Sequence, residues 1–202
     1  MRPNPGKTPG GTRAARGALA GQRILMVIAP SGFRDEELFE PQQIFTEHGA
    51  KVEIASTCAT PAEGMLGARV KPDLILAKVD PYAYAAIVVV GGSGAPAYLW
   101  ESGLLHAVLR RAHAEGIPLG AICLSAAVLA RADLLRGRRA TVYGEPRAKH
   151  ELRRGGATYV AQDVVVDQGI VTASGPAATH EFAEALVHEI ERSRVPPRAR
   201  EG

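Results

Sequence analysis

The chain has 202 residues, 46% of them hydrophobic and 22% charged, and a formal net charge of +3. That composition fits one globular domain with a sizeable core, and two cysteines, Cys58 and Cys123, exclude a disulfide framework and fit a reducing cytoplasm. The charge gathers at the ends: residues 1–23 carry five basic groups and no acid, the last twelve residues carry a net +2, and residues 24–190 are left at −4. The body therefore gives no electrostatic case for a nucleic-acid partner. No apolar run approaches the ~20 residues of a membrane-spanning helix, so no membrane partner is expected either.

Residues 1–22, rich in Gly, Pro and Arg, read as a disordered basic tail, because they bury too little apolar surface to offset ordering entropy. Residues 23–192 read as the folded domain and 193–202 as a second tail. Residues 24–29 form a continuous apolar run of buried-strand length. A turn follows at Pro30, Ser31 and Gly32. Residues 35–49 read as a helix with Leu38, Ile44 and Phe45 on one face, acids in the first turn and Gly49 beyond its end. Residues 52–55 are the next strand, 64–72 a small hairpin and 74–76 a short strand. Residues 86–90 make the strongest strand and end at Gly91-Gly92-Ser93-Gly94. A helix over 104–115 stops at Gly116 and Pro118. The strand 119–122 runs into Cys123, and a helix starts directly after it over 125–130. Strands at 140–143, 164–166 and 170–172 follow, and a helix over 177–192 closes the chain.

Alternating strands and helices, with continuous apolar runs in the strands, imply an α/β fold: a mostly parallel sheet covered by helices on both faces. Ligands bind such sheets beyond the carboxyl ends of the strands. Three such ends carry candidate groups. Cys123 sits where a strand turns sharply into a helix, a nucleophile elbow, and the helix N-terminus there favours thiolate over thiol. A buried structural cysteine is the plain alternative. Glu37 follows the first strand; facing the sheet edge, it would hold a raised pKa beside a thiolate and move protons as a general acid/base. The glycine loop, including Gly91 and Gly92, reads as a tight turn or a phosphate cradle, without dinucleotide-site spacing. Beside a nucleophile its N–H groups can form an oxyanion hole with that of Leu124.

The histidines supply no metal site. His48 and His188 read as solvated helix residues, His106 and His113 lack further ligands, and His150 lies in a basic stretch. Tyr82, Tyr84, Tyr98 and Trp100 flank the glycine loop, as packing or as a pocket wall. Cys58 reads as structural or as a peripheral thiol.

Taken in order, residues 24–29, Glu37-x-x-x-Pro41, Val88-Val89-Val90-Gly91-Gly92, Ala121-Ile122-Cys123, Leu134-Leu135-Arg136-Gly137-Arg138 and Ser174-Gly175-Pro176 resemble the DJ-1/PfpI family across residues 23–190. The resemblance implies a flavodoxin-like three-layer sandwich, a homodimer, and a site needing no cofactor or metal. It makes Cys123 the reactive cysteine, Glu37 its carboxyl partner, and Gly92 with Leu124 the oxyanion donors. The departures bear on activity. Leu124 stands where protease-like members carry histidine, and Ser125 replaces a glycine. Glu145 or Gly144 falls where other members place a later histidine. His180, followed by Glu181, reads as a first-turn helix residue, with the late His and nearby Glu of the related class I glutamine amidotransferase triad as the alternative. A small carbonyl substrate follows: glyoxalase-like hydration of 2-oxoaldehydes or deglycation of their adducts. A redox-sensing or chaperone-like stress protein, with Cys123 oxidised to a sulfinate, is the alternative. A cysteine peptidase ranks third because Leu124 cannot take a proton, and an amidotransferase fourth because the chain has no synthetase domain.

Overall fold

The computed structural model describes residues 17–194. The strands in chain order are β1 (Arg23–Ile28), β2 (Ser31–Phe33), β3 (Lys51–Ser56), β4 (Ala62–Gly64), β5 (Arg69–Val70) and β6 (Leu74–Ile75). They continue as β7 (Ala86–Val89), β8 (Leu119–Ile122), β9 (Arg139–Ala140), β10 (Thr158–Tyr159), β11 (Val164–Asp167) and β12 (Ile170–Ala173). The α-helices are α1 (Asp35–Glu47), α2 (Ala95–Tyr98), α3 (Gly103–Ala114), α4 (Ala126–Arg131), α5 (Pro146–Arg154) and α6 (Thr179–Arg194).

Seven strands form the main sheet in the order β11-β12-β8-β7-β1-β3-β6. Every neighbouring pair is parallel except β11 with β12. The apolar runs explain this: β7, β8 and β12 are buried at every position and β1 at all but its first. A strand buried on both sides needs helices on both faces. Helices α1 and α6 pack together, while α4 packs with α3 and α5. Gly120 lets α6 approach β8 closely, since a Cβ there would meet the Phe182 ring at 2.8 Å. Each fully buried Leu, Ile or Phe in this core contributes roughly 1.5–3 kcal/mol.

Several expectations are corrected. The N-terminal tail does not run to residue 22: Leu19 is fully buried, its N–H donates to the His48 carbonyl at 2.9 Å, and Gln22 accepts from the Lys51 N–H at 2.8 Å. The rest of that tail, residues 1–16, and residues 195–202 lie outside the described residues. The turn predicted at Pro30 to Gly32 is replaced from Ser31 onward by β2, which pairs with β4 of the predicted hairpin. The strand expected at 140–143 shrinks to β9, which pairs only with β10. His48 is buried rather than solvated and lies 3.6 Å from the Glu184 carboxylate. Helix α5 has no counterpart in the sequence reading, because its buried side chains are only Ala148, Glu151 and Leu152. No helix among the described residues is long and apolar enough to cross a membrane.

Candidate active site

The carboxyl ends of β1, β7 and β8 converge where the strand order reverses around β1. Cys123 directly follows β8 and takes a left-handed φ of 59°. A non-glycine residue in that region costs roughly 1–3 kcal/mol, so the surroundings must hold it there. They do so through three contacts on the elbow. Ser125 Oγ donates to the Val90 carbonyl at 2.7 Å, Trp100 Nε1 donates to the Leu124 carbonyl at 2.8 Å, and the Tyr143 N–H donates to the Cys123 carbonyl at 3.4 Å.

Glu37 lies in the first turn of α1 and is fully buried. Its neighbours in that turn have separate tasks. Asp35 accepts the N–H groups of Leu66 at 2.9 Å and Ala68 at 3.0 Å, which pins the β4–β5 hairpin onto α1. Glu36 takes two hydrogen bonds from the Arg34 guanidinium, at 2.8 and 3.0 Å. Glu37 turns toward the cysteine.

Gly91 shows how close Glu37 and Cys123 stand. A Cβ on Gly91 would meet Glu37 Oε2 at 2.4 Å and the Cys123 Cβ at 2.6 Å. Only a residue without a side chain lets the two share that space. Gly92 is fixed by its φ of 112° and by the Gly32 carbonyl oxygen, 2.3 Å from where a Cβ would sit. That backbone turn directs the Gly92 N–H at the cysteine sulfur, alongside the N–H of Leu124. The Gly91 N–H instead faces the Glu37 carboxyl.

Burial pushes the Glu37 carboxyl up to about 7, against smaller opposing effects of Cys123, the Gly91 N–H and the Arg34 charge. Neither carboxyl oxygen makes a well-formed hydrogen bond within the protein. The expected depressed thiol at Cys123 is corrected: burial, then the Glu37 charge, push it up to about 12, while the Gly92 and Leu124 N–H groups pull it down. The Glu37 share of that rise vanishes once Glu37 carries the proton. Carboxyl and thiol therefore act as one unit that shares a proton.

A cavity of about 290 Å³ opens over this pair, lined by Arg34, Glu37, Met65, Gly92, Ser93, Cys123, Leu124, Tyr143 and Pro176. Met65 hangs from the pinned hairpin, and its thioether sulfur accepts the Ser93 N–H at 3.3 Å. Cys123, Glu37, Gly92 and Leu124 meet here, while Glu145 and His180 do not. Glu145 precedes α5 as its N-cap, and Tyr143 forms the wall near that segment. His180 is exposed and lies 3.7 Å from Glu40 Oε1. Among the described residues no histidine lines the cavity. Sequence reading missed Arg34, Met65, Ser93, Tyr143 and Pro176 as walls, and the anchor Asp35. The only signal for Asp35 was an acidic first helical turn, which helix dipoles favour anyway.

A mostly parallel sheet, a cysteine elbow beside a glycine loop, and a buried glutamate define the class. The DJ-1/PfpI family model matches residues 22–189, and the chain belongs to that family. It is 42% identical over 171 residues to an uncharacterized protein of Methanocaldococcus jannaschii, covering 85% of this chain and 83% of that one. It is 32% identical over 163 residues to a protein of Pyrococcus horikoshii named a deglycase, covering 81% and 96%. The crystal structure of a ThiJ/PfpI domain protein from Brachyspira murdochii superposes with a TM-score of 0.80 at 30% identity, covering 84% and 96%.

Proposed function

We propose that the protein is a cysteine-dependent enzyme acting on 2-oxoaldehydes or their adducts without an organic cofactor. The observation that carries this reading is the buried Glu37 carboxyl, at about 7, converging with Cys123 on the floor of a small cavity. A general acid/base works best with a pKa near the operating pH. The Pyrococcus horikoshii relative, named a deglycase, supports the same substrate class.

The chemistry balances with these groups alone. The Cys123 sulfur bonds to the aldehyde carbon of the substrate, and its proton passes through Glu37 to the aldehyde oxygen. Gly92 and Leu124 N–H groups stabilise the oxyanion as it forms. Glu37 then removes the hydrogen on that carbon, and the electron pair moves onto the neighbouring carbonyl to form an enediolate. The hydroxyl proton of the hemithioacetal passes to the neighbouring oxygen, and Glu37 returns its proton to the neighbouring carbon, which leaves a thioester. Water attacks the thioester, the thiolate departs, and a 2-hydroxy acid is released. Oxidation at one carbon is offset by reduction at the next, so no external redox partner enters. A lining without histidine favours this one-carboxyl route over peptide cleavage, which needs an acid for the leaving amine as well as a base for the thiol.

The test is consumption of methylglyoxal with release of lactate. Cys123→Ser should abolish turnover, and Glu37→Gln should lower it by ~10²-fold or more. Unchanged turnover in Cys123→Ser, or rapid cleavage of amino-coumarin peptides by the wild type, overturns the reading.

A further inference from the structure

Trp100 is the chain's single tryptophan and is 1% exposed. Its indole N–H reaches the Leu124 carbonyl, at 2.8 Å, one residue beyond Cys123. We propose that Trp100 is a positioning residue for the nucleophile: by holding the Leu124 carbonyl it fixes the direction in which the Leu124 N–H points. This inference rests on Cys123 being the nucleophile.

The argument starts from the backbone. Cys123 is held at a φ that an L-residue leaves readily when released. The peptide between Cys123 and Leu124 carries the N–H that faces the sulfur. The next peptide carries the carbonyl that Trp100 grips. Fixing both sides of Leu124 fixes its two dihedrals, and so the aim of its N–H. Tyr143 holds the first peptide through a longer contact of 3.4 Å, which leaves Trp100 as the firmer clamp.

The backbone of Trp100 adds a second reason. Its N–H donates to the Ala95 carbonyl at 3.0 Å, and the Ala95 N–H donates to the Gly92 carbonyl at 3.1 Å. The segment that presents one donor to the sulfur thus continues, within eight residues, into the side chain that fixes the other donor. The indole spans the two arms and makes them one rigid unit. The Arg131 and Arg147 guanidinium groups lie 5.4 and 4.9 Å from the indole centroid.

The experiment uses Trp100→Phe, which keeps a ring and removes the N–H, in a Cys58→Ser background. Iodoacetamide labelling of Cys123 is followed against pH. The expected result is a labelling plateau between the two titration steps lowered by about ten-fold, because a misaimed donor stabilises the sulfur charge less and leaves more of the shared charge on Glu37. Methylglyoxal turnover should lose ~10-fold in kcat with KM within about two-fold, as for a weakened oxyanion donor. Arg147→Gln, which keeps the indole N–H, should leave both measurements unchanged. A folded Trp100→Phe protein whose labelling profile superposes on the parent's overturns the proposal. If that variant does not fold, emission from Trp100 in the Cys58→Ser protein decides. A shift in intensity on carboxamidomethylation of Cys123 supports the coupling, and unaltered emission overturns it. A shifted labelling profile in protein that leaves methylglyoxal untouched would keep the positioning role and reject the proposed reaction, so the two readings fail separately.

Discussion

Ser125 donates its hydroxyl hydrogen to the Val90 carbonyl oxygen at 2.7 Å, joining the helix side of the cysteine elbow to the end of the neighbouring strand. Both groups are fully buried. Ser125 is thus a brace between the segments carrying Cys123 and Gly91. Ser125→Ala leaves a buried carbonyl without its donor, at a cost of roughly 1–3 kcal/mol. The expected outcome is a melting temperature lower by about 2–4 °C per kcal/mol, with Cys123 labelled faster as the elbow loosens. Unchanged melting would show that the brace contributes nothing.

Gly91→Ala should be far more damaging than its size implies. The new methyl group would sit 2.4 Å from Glu37 Oε2, 2.6 Å from the Cys123 Cβ and 2.7 Å from the Ile122 carbonyl oxygen. Overpacking of this kind costs about 1–3 kcal/mol. Displacing either partner by about 1 Å should lower turnover by ~10²-fold. Gly144→Ala, at a site with no atom within 4 Å of the added carbon, serves as the matched control and should behave as wild type. Steady-state kinetics on both variants decides.

The shared proton predicts an unusual labelling profile. The pair takes its first negative charge near pH 7 and its second near pH 12. Between those steps the fraction of charge on sulfur is independent of pH. Alkylation of Cys123 in Cys58→Ser protein should therefore rise through pH 7, level off, and rise again only in strong alkali. Glu37→Gln should show one step and no plateau. A single step at the ordinary thiol value in both proteins would mean the two groups titrate independently.

Stability should follow the same carboxyl. Glu37 is raised in the folded protein from 4.5 to about 7, so the unfolded chain gives up this proton first as pH rises. Its contribution is complete below pH 4.5 and is lost as pH climbs through about 7. At about 1.36 kcal/mol per unit the loss is roughly 3 kcal/mol. Glu37→Gln has no such proton, so its stability relative to wild type should improve by that amount between about pH 4 and pH 8. Urea unfolding at the two pH values measures it, and a gap that does not change with pH would contradict the buried acid.

The parts of this protein legible in the sequence are those fixed by local pattern. Apolar runs gave away β1, β7 and β8, and the residues just past them, Glu37, Gly92 and Cys123, could be placed at one edge. The cavity walls at Met65 and Tyr143 are not legible there, because each depends on a contact made far along the chain. Met65 is a wall only because Asp35 grips the hairpin 31 residues away. Tyr143 is a wall only because it docks on the Cys123 carbonyl. Composition hides Leu19: one large apolar residue in a Gly- and Arg-rich stretch looks like noise, yet it packs fully into the core. The Cys123 titration is hidden from the sequence for a related reason. The helix N-terminus can be seen in the sequence, whereas the extent of burial and the distance to a carboxylate cannot.

The hairpin that bears Met65 and the carboxyl that trades protons with Cys123 hang from the same turn of α1, two residues apart, through Asp35 and Glu37. Roof and floor of the cavity are therefore mechanically one part. Prising the hairpin open to admit a bulkier guest would tug the first helical turn, and with it the distance over which the proton has to hop. Guest size and acid strength become linked variables in this architecture. Engineering a wider entrance by reshaping residues 64–68 alone would detune the chemistry underneath.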